Sequence, residues 1–449
     1  MRIDIKNQNL FKKCLNNILS DSIDLEIKGI SIDSRKIKKD DIFIALQGDK
    51  NHGNDFIDSH LLNKASFIVS DKKIINDKVF IVNNSRDFLK NLAIEFRSSL
   101  NAKFIGITGT NGKTSTKELL VKFLKTKYNV SYSKGNYNST ISLPLSLLEC
   151  DEKSEYCILE MGASQYGEIS DLCEIAKPDL GLITNISEAH LEGFDTFEDL
   201  IKTKLSLYKF LKNNCGTYFF NKDDSNIKIG QERYPEIVSF SFNNANSDYY
   251  GDISEINKGN IYINNILFKV PYQTEIFASN FLASYSIASS IGVESEKIKK
   301  ALNDFSLPRG RGNTLEFNDV KVIDDTYNAN FESMKKGISQ LKVFNRGKNV
   351  LILGDMLELS TQAVAIHKRL GRYIDSLDFI DSVYGIGKLI KHSIDAIKKD
   401  SINKAYFSDK KTFIEYFLNH KKKYNVIYIK GSRSMKLENI INSLFEVKC

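Results

Sequence analysis

Gly106-Ile107-Thr108-Gly109-Thr110-Asn111-Gly112-Lys113-Thr114-Ser115 follows a short apolar run, Lys103 to Ile107, and precedes a helical pattern from Lys117 to Lys125. Strand, glycine-rich turn and helix in that order make a phosphate-binding loop. Glycines let backbone N–H groups close on phosphate oxygens, Lys113 neutralises the outer phosphates, and Thr114 can hold Mg²⁺ where the helix begins. The generic spacing G-x-x-x-x-G-K-[ST] needs glycine at position 107, where this chain has Ile107. The loop is a variant, and alone it says only that the chain binds a nucleoside triphosphate.

A length of 449 residues, 42% of them apolar with only 5 prolines, describes an ordered globular protein. At that length about two to four domains are expected, three being the central value. Cys14, Cys150, Cys157, Cys173, Cys215 and Cys449 include no Cys-x-x-Cys pair, so neither a zinc site nor a disulfide framework is suggested. They fit free thiols in a reducing cytoplasm. Met1 to Lys6 lacks an apolar signal core, and Phe281 to Val293 is too short and too interrupted by serine to span a bilayer. A soluble protein without membrane insertion is expected. The net charge of +7 is spread over scattered lysines, with no basic stripe interleaved with aromatics. That favours a small anionic substrate and gives no argument for nucleic acid.

Outward from the loop the chain divides into three regions, 1–97, 98–306 and 307–449. The first alternates short apolar runs with helical patterns, as a small α/β domain does. Polar residues follow its strands, among them Ser34 and Arg35, which could grip a diphosphate or simply form a surface turn. In the central region the loop is followed by the strand Asn129 to Tyr132 and a polar stretch with Asn136 and Asn138. Next comes the strand Tyr156 to Leu159, ending in Glu160. A carboxylate there is the usual second anchor of Mg²⁺, or else an ordinary acidic strand end. His190, after the strand Leu180 to Ile186, could reach the same cluster, although a lone histidine is more often structural. Hairpin-like segments are expected between Ile237 and Val270, then a helix opening near Asn280. Leu307-Pro308-Arg309-Gly310-Arg311-Gly312 reads as a hinge and boundary. The last region has the βαβ rhythm of an open, mostly parallel sheet. Three polar clusters end its strands: Asp324 to Asn330, Gly354 to Glu358, and Lys430 to Arg433.

Thr108 to Thr114, Glu160-Met161-Gly162-Ala163, Asn185 to His190 and Asp324-Asp325-Thr326-Tyr327-Asn328-Ala329-Asn330 together resemble the Mur ligases. The last run and Gly354 to Leu359 are similar to members that add D-alanyl-D-alanine to UDP-N-acetylmuramoyl-tripeptide. The resemblance implies three domains: a UDP-substrate-binding N-terminal one, a central P-loop-type ATPase, and a Rossmann-like C-terminal one. It implies a cytoplasmic, monomeric enzyme of peptidoglycan precursor synthesis that uses ATP and Mg²⁺ and passes through an acyl phosphate.

Site residues also follow from the resemblance. Gly109, Thr110, Asn111, Gly112, Lys113, Thr114, Ser115, Asn280, Arg311, Asp325 and Tyr327 would bind ATP, and Asn328 would join the reacting centre. Thr114, Glu160, His190 and Lys204 would serve the metals, Lys204 matching a lysine that related members carry carbamylated. Ser34, Arg35, Asn136, Asn138, Asn330, Lys430, Ser432 and Arg433 would contact substrate. The chain departs from the family pattern at Phe331, Ser139, Ser142, Ser360, Thr274 and Ile276, none of which is a phosphate or metal ligand. A neighbouring Mur-type ligase or folylpolyglutamate synthase would share the central domain, but no Asp-Asn-Pro-Arg stretch is present. A nucleotide-binding module without activity is the other alternative. The presence of Glu160, His190 and Lys204 speaks for retained chemistry.

Overall fold

The computed structural model describes all residues except 21–22, 24, 49, 189–190, 230–235, 318–319, 345–347, 421–423 and 446–449. Three sheets organise the chain. The first runs in spatial order Arg2–Asp4, Gly29–Ser31, Asp41–Ile44, Ala65–Ser70 and Val79–Ile81, antiparallel only at its first pair. Helix Ser85–Ser98 lies on it because Asn84 accepts the N–H groups of Arg86 and Asp87, while Phe88, Leu89, Leu92, Ala93 and Phe96 form one apolar stripe. That stripe does not close a separate core. It is continuous with Leu143, Leu147, Leu159 and Leu172 of the central region, and the Arg97 guanidinium donates to Ala176 O at 2.7 Å and covers the Phe104 ring.

The central sheet has nine strands. Lys103–Thr108 lies in its interior between Leu180–Ile183 and Tyr156–Glu160, all three parallel. A strand buried on both faces needs continuous apolar residues, and Phe104, Ile105 and Ile107 are all inaccessible. Parallel strands deliver their C-terminal ends to one edge, so the phosphate loop, Glu160 and Thr184 emerge side by side. The expectation of hairpins from Ile237 to Val270 holds from Tyr249 onward, where Tyr249–Asp252, Asn260–Ile263 and Ile266–Lys269 pair antiparallel in turn. Glu236–Ser241 instead runs parallel to both Thr217–Asn221 and Tyr249–Asp252. Alternating residues suit either pairing, and the partner strand decides it. The tight turn between the last two strands is Asn264-Asn265, both at positive φ.

The third sheet has the order Asn313–Phe317, Val320–Asp324, Val426–Lys430, Asn349–Gly354, Ser382–Ile386, Asn403–Phe407, parallel after its first pair. Residues read as a hinge therefore run directly into a strand. Among the described residues no helix is long and apolar enough to cross a membrane.

Candidate active site

The loop after Lys103–Thr108 lies tight against its neighbours. Gly109 has φ 138° and Gly112 φ 82°. A Cβ would fall 2.0 Å from Thr184 Oγ1 at Gly109 and 2.3 Å from Asn280 Oδ1 at Gly112. Neither position admits a side chain. Helix Lys113–Leu124 then begins with no side-chain cap, leaving its first N–H groups to an anion. Glycines that allow close approach, an uncapped helix start and Lys113 fit a polyphosphate.

Two lysines meet beneath this loop. Lys113 Nζ donates to Gly109 O at 2.7 Å and Thr110 O at 3.1 Å. Lys204, from helix Phe197–Asn213, is 4% exposed and donates to Gly109 O at 3.3 Å. Burial, with Lys113 nearby, lowers the Lys204 pKa to about 7. Burial also lowers that of Lys113, with Glu160 opposing the shift. The opposing carboxylate belongs to a second cluster. Thr114 Oγ1 donates to Glu160 Oε2 at 2.8 Å, and Asn138 Nδ2 to Glu160 Oε1 at 2.8 Å. Arg311 Nη2 reaches Thr114 Oγ1 at 3.0 Å from across the chain. A hydroxyl and a carboxylate side by side are hard oxygen donors of the kind that hold Mg²⁺ beside a phosphate.

The other candidates surround these two groups. Thr110 Oγ1 accepts from Ser187 N at 3.0 Å, and Asn111 N donates to Asn185 Oδ1 at 3.1 Å. Asn280 Oδ1 takes Thr116 Oγ1 at 3.3 Å, and Ser115 is buried in the first turn. The third sheet reaches the loop where Asn330 Nδ2 donates to Asn111 Oδ1 at 2.8 Å. Tyr327 has the Arg311 guanidinium 3.6 Å above its ring and that of Arg433 at 5.6 Å. Asp325 accepts from Lys430 Nζ at 2.6 Å and Tyr428 OH at 2.8 Å. Asn328 Oδ1 accepts from Ala329 N, and Ser432 Oγ from Leu357 N. A cleft of about 440 Å³ opens beside Asn111, between Asn185, Asp224 and Leu282 on one side and Lys336 and Arg369 on the other.

Four expected residues stand apart. Arg35 is exposed and its guanidinium is held by Asp33 at 2.8 and 3.1 Å, in the turn that also carries Ser34. Asn136 is exposed in its loop. His190 lies outside the described residues, and among those described no group of three or more His, Cys, Asp or Glu side chains could hold a metal. Sequence reasoning passed over Lys117, Ser133, Asp355 and His367. Lys117 is wholly buried, and Ser133 Oγ accepts from Glu160 N. Asp355 takes the N–H groups of Lys388, Leu389 and Ile390. His367 accepts from Met356 N. Asp355 stood in a motif already noted; nothing in the local pattern marks the others.

Comparison with known proteins agrees with this architecture. Residues 26–97 match the model of the Mur ligase family, catalytic domain; 107–288 that of the Mur ligase middle domain; and 310–433 that of the Mur ligase, glutamate ligase domain. UDP-N-acetylmuramoyl-tripeptide--D-alanyl-D-alanine ligase of Rickettsia prowazekii is 35% identical over 92% of this chain and 94% of its own. The crystal structure of MurF from Acinetobacter baumannii superposes with a TM-score of 0.87 at 25% identity, covering 97% of this chain and 98% of the other. The structure of MurF ligase from Thermotoga maritima in complex with ADP gives 0.80 at 30% identity, over 93% and 97%. With three consecutive family models matched in order and such identity over nearly its whole length, the chain belongs to the Mur ligase family.

Proposed function

We propose that the protein joins D-alanyl-D-alanine to UDP-N-acetylmuramoyl-tripeptide at the expense of ATP, in the cytoplasmic synthesis of peptidoglycan precursors. The tripeptide's terminal carboxylate oxygen attacks the γ-phosphorus, releasing ADP and forming an acyl phosphate. The dipeptide's amine, once deprotonated, attacks the acyl carbon, and the tetrahedral adduct expels phosphate to leave the amide. Such transfers between anions depend on neutralised charge and alignment.

Lys113 and the N–H groups of Gly109 to Ser115 hold the phosphates, with Asn280 on the adenine side and Arg311, Asp325 and Tyr327 closing from the C-terminal region. Thr114 and Glu160 hold Mg²⁺, which would supply charge neutralisation at the phosphates, and His190 and Lys204 serve a second cation. Ser34 and Arg35 take the uridine diphosphate end. Asn136 and Asn138 face the tripeptide, and Asn328, Asn330, Lys430, Ser432 and Arg433 the dipeptide. The working unit is a monomer with domains 1–97, 98–306 and 307–449.

The observation that carries this reading is the contact of Arg311 with Thr114, itself bonded to Glu160. It joins the C-terminal region to the phosphate loop at one hydroxyl. The test is phosphate release from ATP and Mg²⁺. Release is expected only with both UDP-muramoyl-tripeptide and D-alanyl-D-alanine present, and lost in Lys113→Ala. Equal release without the dipeptide overturns the reading.

A further inference from the structure

Helix Lys113–Leu124 carries a second lysine one turn beyond Lys113, on the same face, and its side chain is completely buried. The Lys117 ammonium has three partners. It donates to Ser133 O at 2.5 Å and Gly135 O at 3.3 Å, and pairs with the Glu118 carboxylate at 2.9 Å. Two of its three donors go to carbonyls of one turn, which a compact point charge can serve where a planar guanidinium fits poorly.

The gripped carbonyls belong to the loop Ser133 to Asn138, whose other polar groups face the opposite way, onto the strand bearing Glu160. Ser133 N donates to Ile158 O, Ser133 Oγ accepts from Glu160 N, Asn138 Nδ2 donates to Glu160 Oε1, and Asn138 O accepts from Gly162 N. Gly162 is part of the fit, because a Cβ there would lie 2.9 Å from the Asn138 amide carbon. The loop is thus clamped between the phosphate-loop helix and Glu160. Withdrawing it would strip both carbonyls from a buried ammonium and leave it Glu118 alone, which is costly.

We propose that Lys117 is a positioning residue that fixes the Ser133–Asn138 loop, and through Asn138 the Glu160 carboxylate, in register with the phosphate loop. One helix thereby sets the phosphate site with Lys113 and the acceptor-side loop with Lys117. This rests on the reading that Asn138 faces the tripeptide and Glu160 the metal.

The test compares Lys117→Met, Lys117→Arg and Asn138→Ala by steady-state kinetics. In Lys117→Met the KM for UDP-muramoyl-tripeptide and the Mg²⁺ concentration for half activity are each expected to rise about tenfold, with the KM for ATP within about twofold. A purely structural lysine would lower the melting temperature without splitting these constants. Lys117→Arg keeps the charge, and with it the fold, but its longer fork displaces the two carbonyls, so it is expected to show the same split. Wild-type constants in Lys117→Arg overturn the proposal even where the Met variant does not fold. Impaired Asn138→Ala beside unimpaired Lys117 variants sinks the role of Lys117 alone. Unimpaired Asn138→Ala sinks the underlying reading of the loop.

Discussion

Lys204 shows how one residue can trade stability for chemistry. Its ammonium is buried against Gly109 O beside a second lysine, and its pKa falls from 10.5 to about 7. A base with a depressed folded pKa leaves the unfolded chain holding the extra proton between those two values, so stability rises with pH across that window. Below it the full penalty of burying the charge is present. Lys204→Met is therefore expected to melt a few degrees higher than the wild type at about pH 7, the gap narrowing at about pH 9, while activity falls by roughly 100-fold. Scanning calorimetry at the two pH values checks the first part and phosphate release the second. A Met variant that melts lower at both would mean that the lysine stabilises the fold. The neutral amine that the window implies is also the form a carbamylated lysine requires.

At the level of elements, much of the site was legible because a parallel sheet sends its strand ends to one edge. The phosphate loop, Glu160 and the Asp324 to Asn330 run were each readable as polar residues following apolar ones. What was not legible is who meets whom. The contact of Asn330 with Asn111 spans 219 positions, and the merging of the first region's core with that of the second depends on how helix Ser85–Ser98 packs. His367 is a similar case. It sits on helix Ala363–Asp375 as one more polar residue in an amphipathic pattern, yet it is fully buried. Its Nδ1 lies 2.7 Å from Ala363 O and its Nε2 accepts from Met356 N at 3.0 Å, which ties the helix to the loop after Asn349–Gly354. Burial lowers its pKa, against the weaker pulls of the Ala363 carbonyl and Asp355 and with a small push from His392. The imidazole is neutral in the fold, so its contribution is complete above its ordinary 6.5 and lost as pH falls toward the lower folded value. His367→Gln can still accept from Met356 N but does not titrate. Between about pH 7.5 and 5.5 the wild type is expected to lose more melting temperature than this variant. Equal losses would assign the acid sensitivity to other groups, though not to Asp224 or Asp324, whose raised pKa values make acid stabilising through them.

For the whole molecule the question is how firmly the third sheet is docked. Among the described residues its polar contacts with the central region include Asn330 with Asn111, Arg311 with Thr114, and the half-exposed pair of Arg369 and Glu188 at 3.4 Å. A small polar junction of this kind favours relative motion of domains. Arg311 Nε is buried with no hydrogen-bond partner, so the docked arrangement leaves a donor that a phosphate oxygen would satisfy. ATP analogue with UDP-muramoyl-tripeptide is expected to tighten the docking and shift the small-angle scattering profile, and an unchanged profile counts against it. The contribution of Asn330 can be separated from its structural duty, because its two ends do different work. Asn330 Oδ1 caps helix Phe331–Ser339 by accepting from Ser333 N at 2.8 Å, while Nδ2 alone reaches Asn111. Asn330→Asp keeps the cap acceptor and removes the docking donor. It is expected to melt within about a degree of the wild type, yet to raise the KM for ATP about tenfold and weaken the ligand-induced scattering change. Arg369→Ala, which removes half-exposed ion pairs with Glu188 and Glu332 and a guanidinium lying over the Phe331 ring, is expected to change KM by less than about twofold. If the Asp variant binds ATP normally while Arg369→Ala does not, the third sheet is held by its rim charges rather than by the asparagine at the phosphate loop.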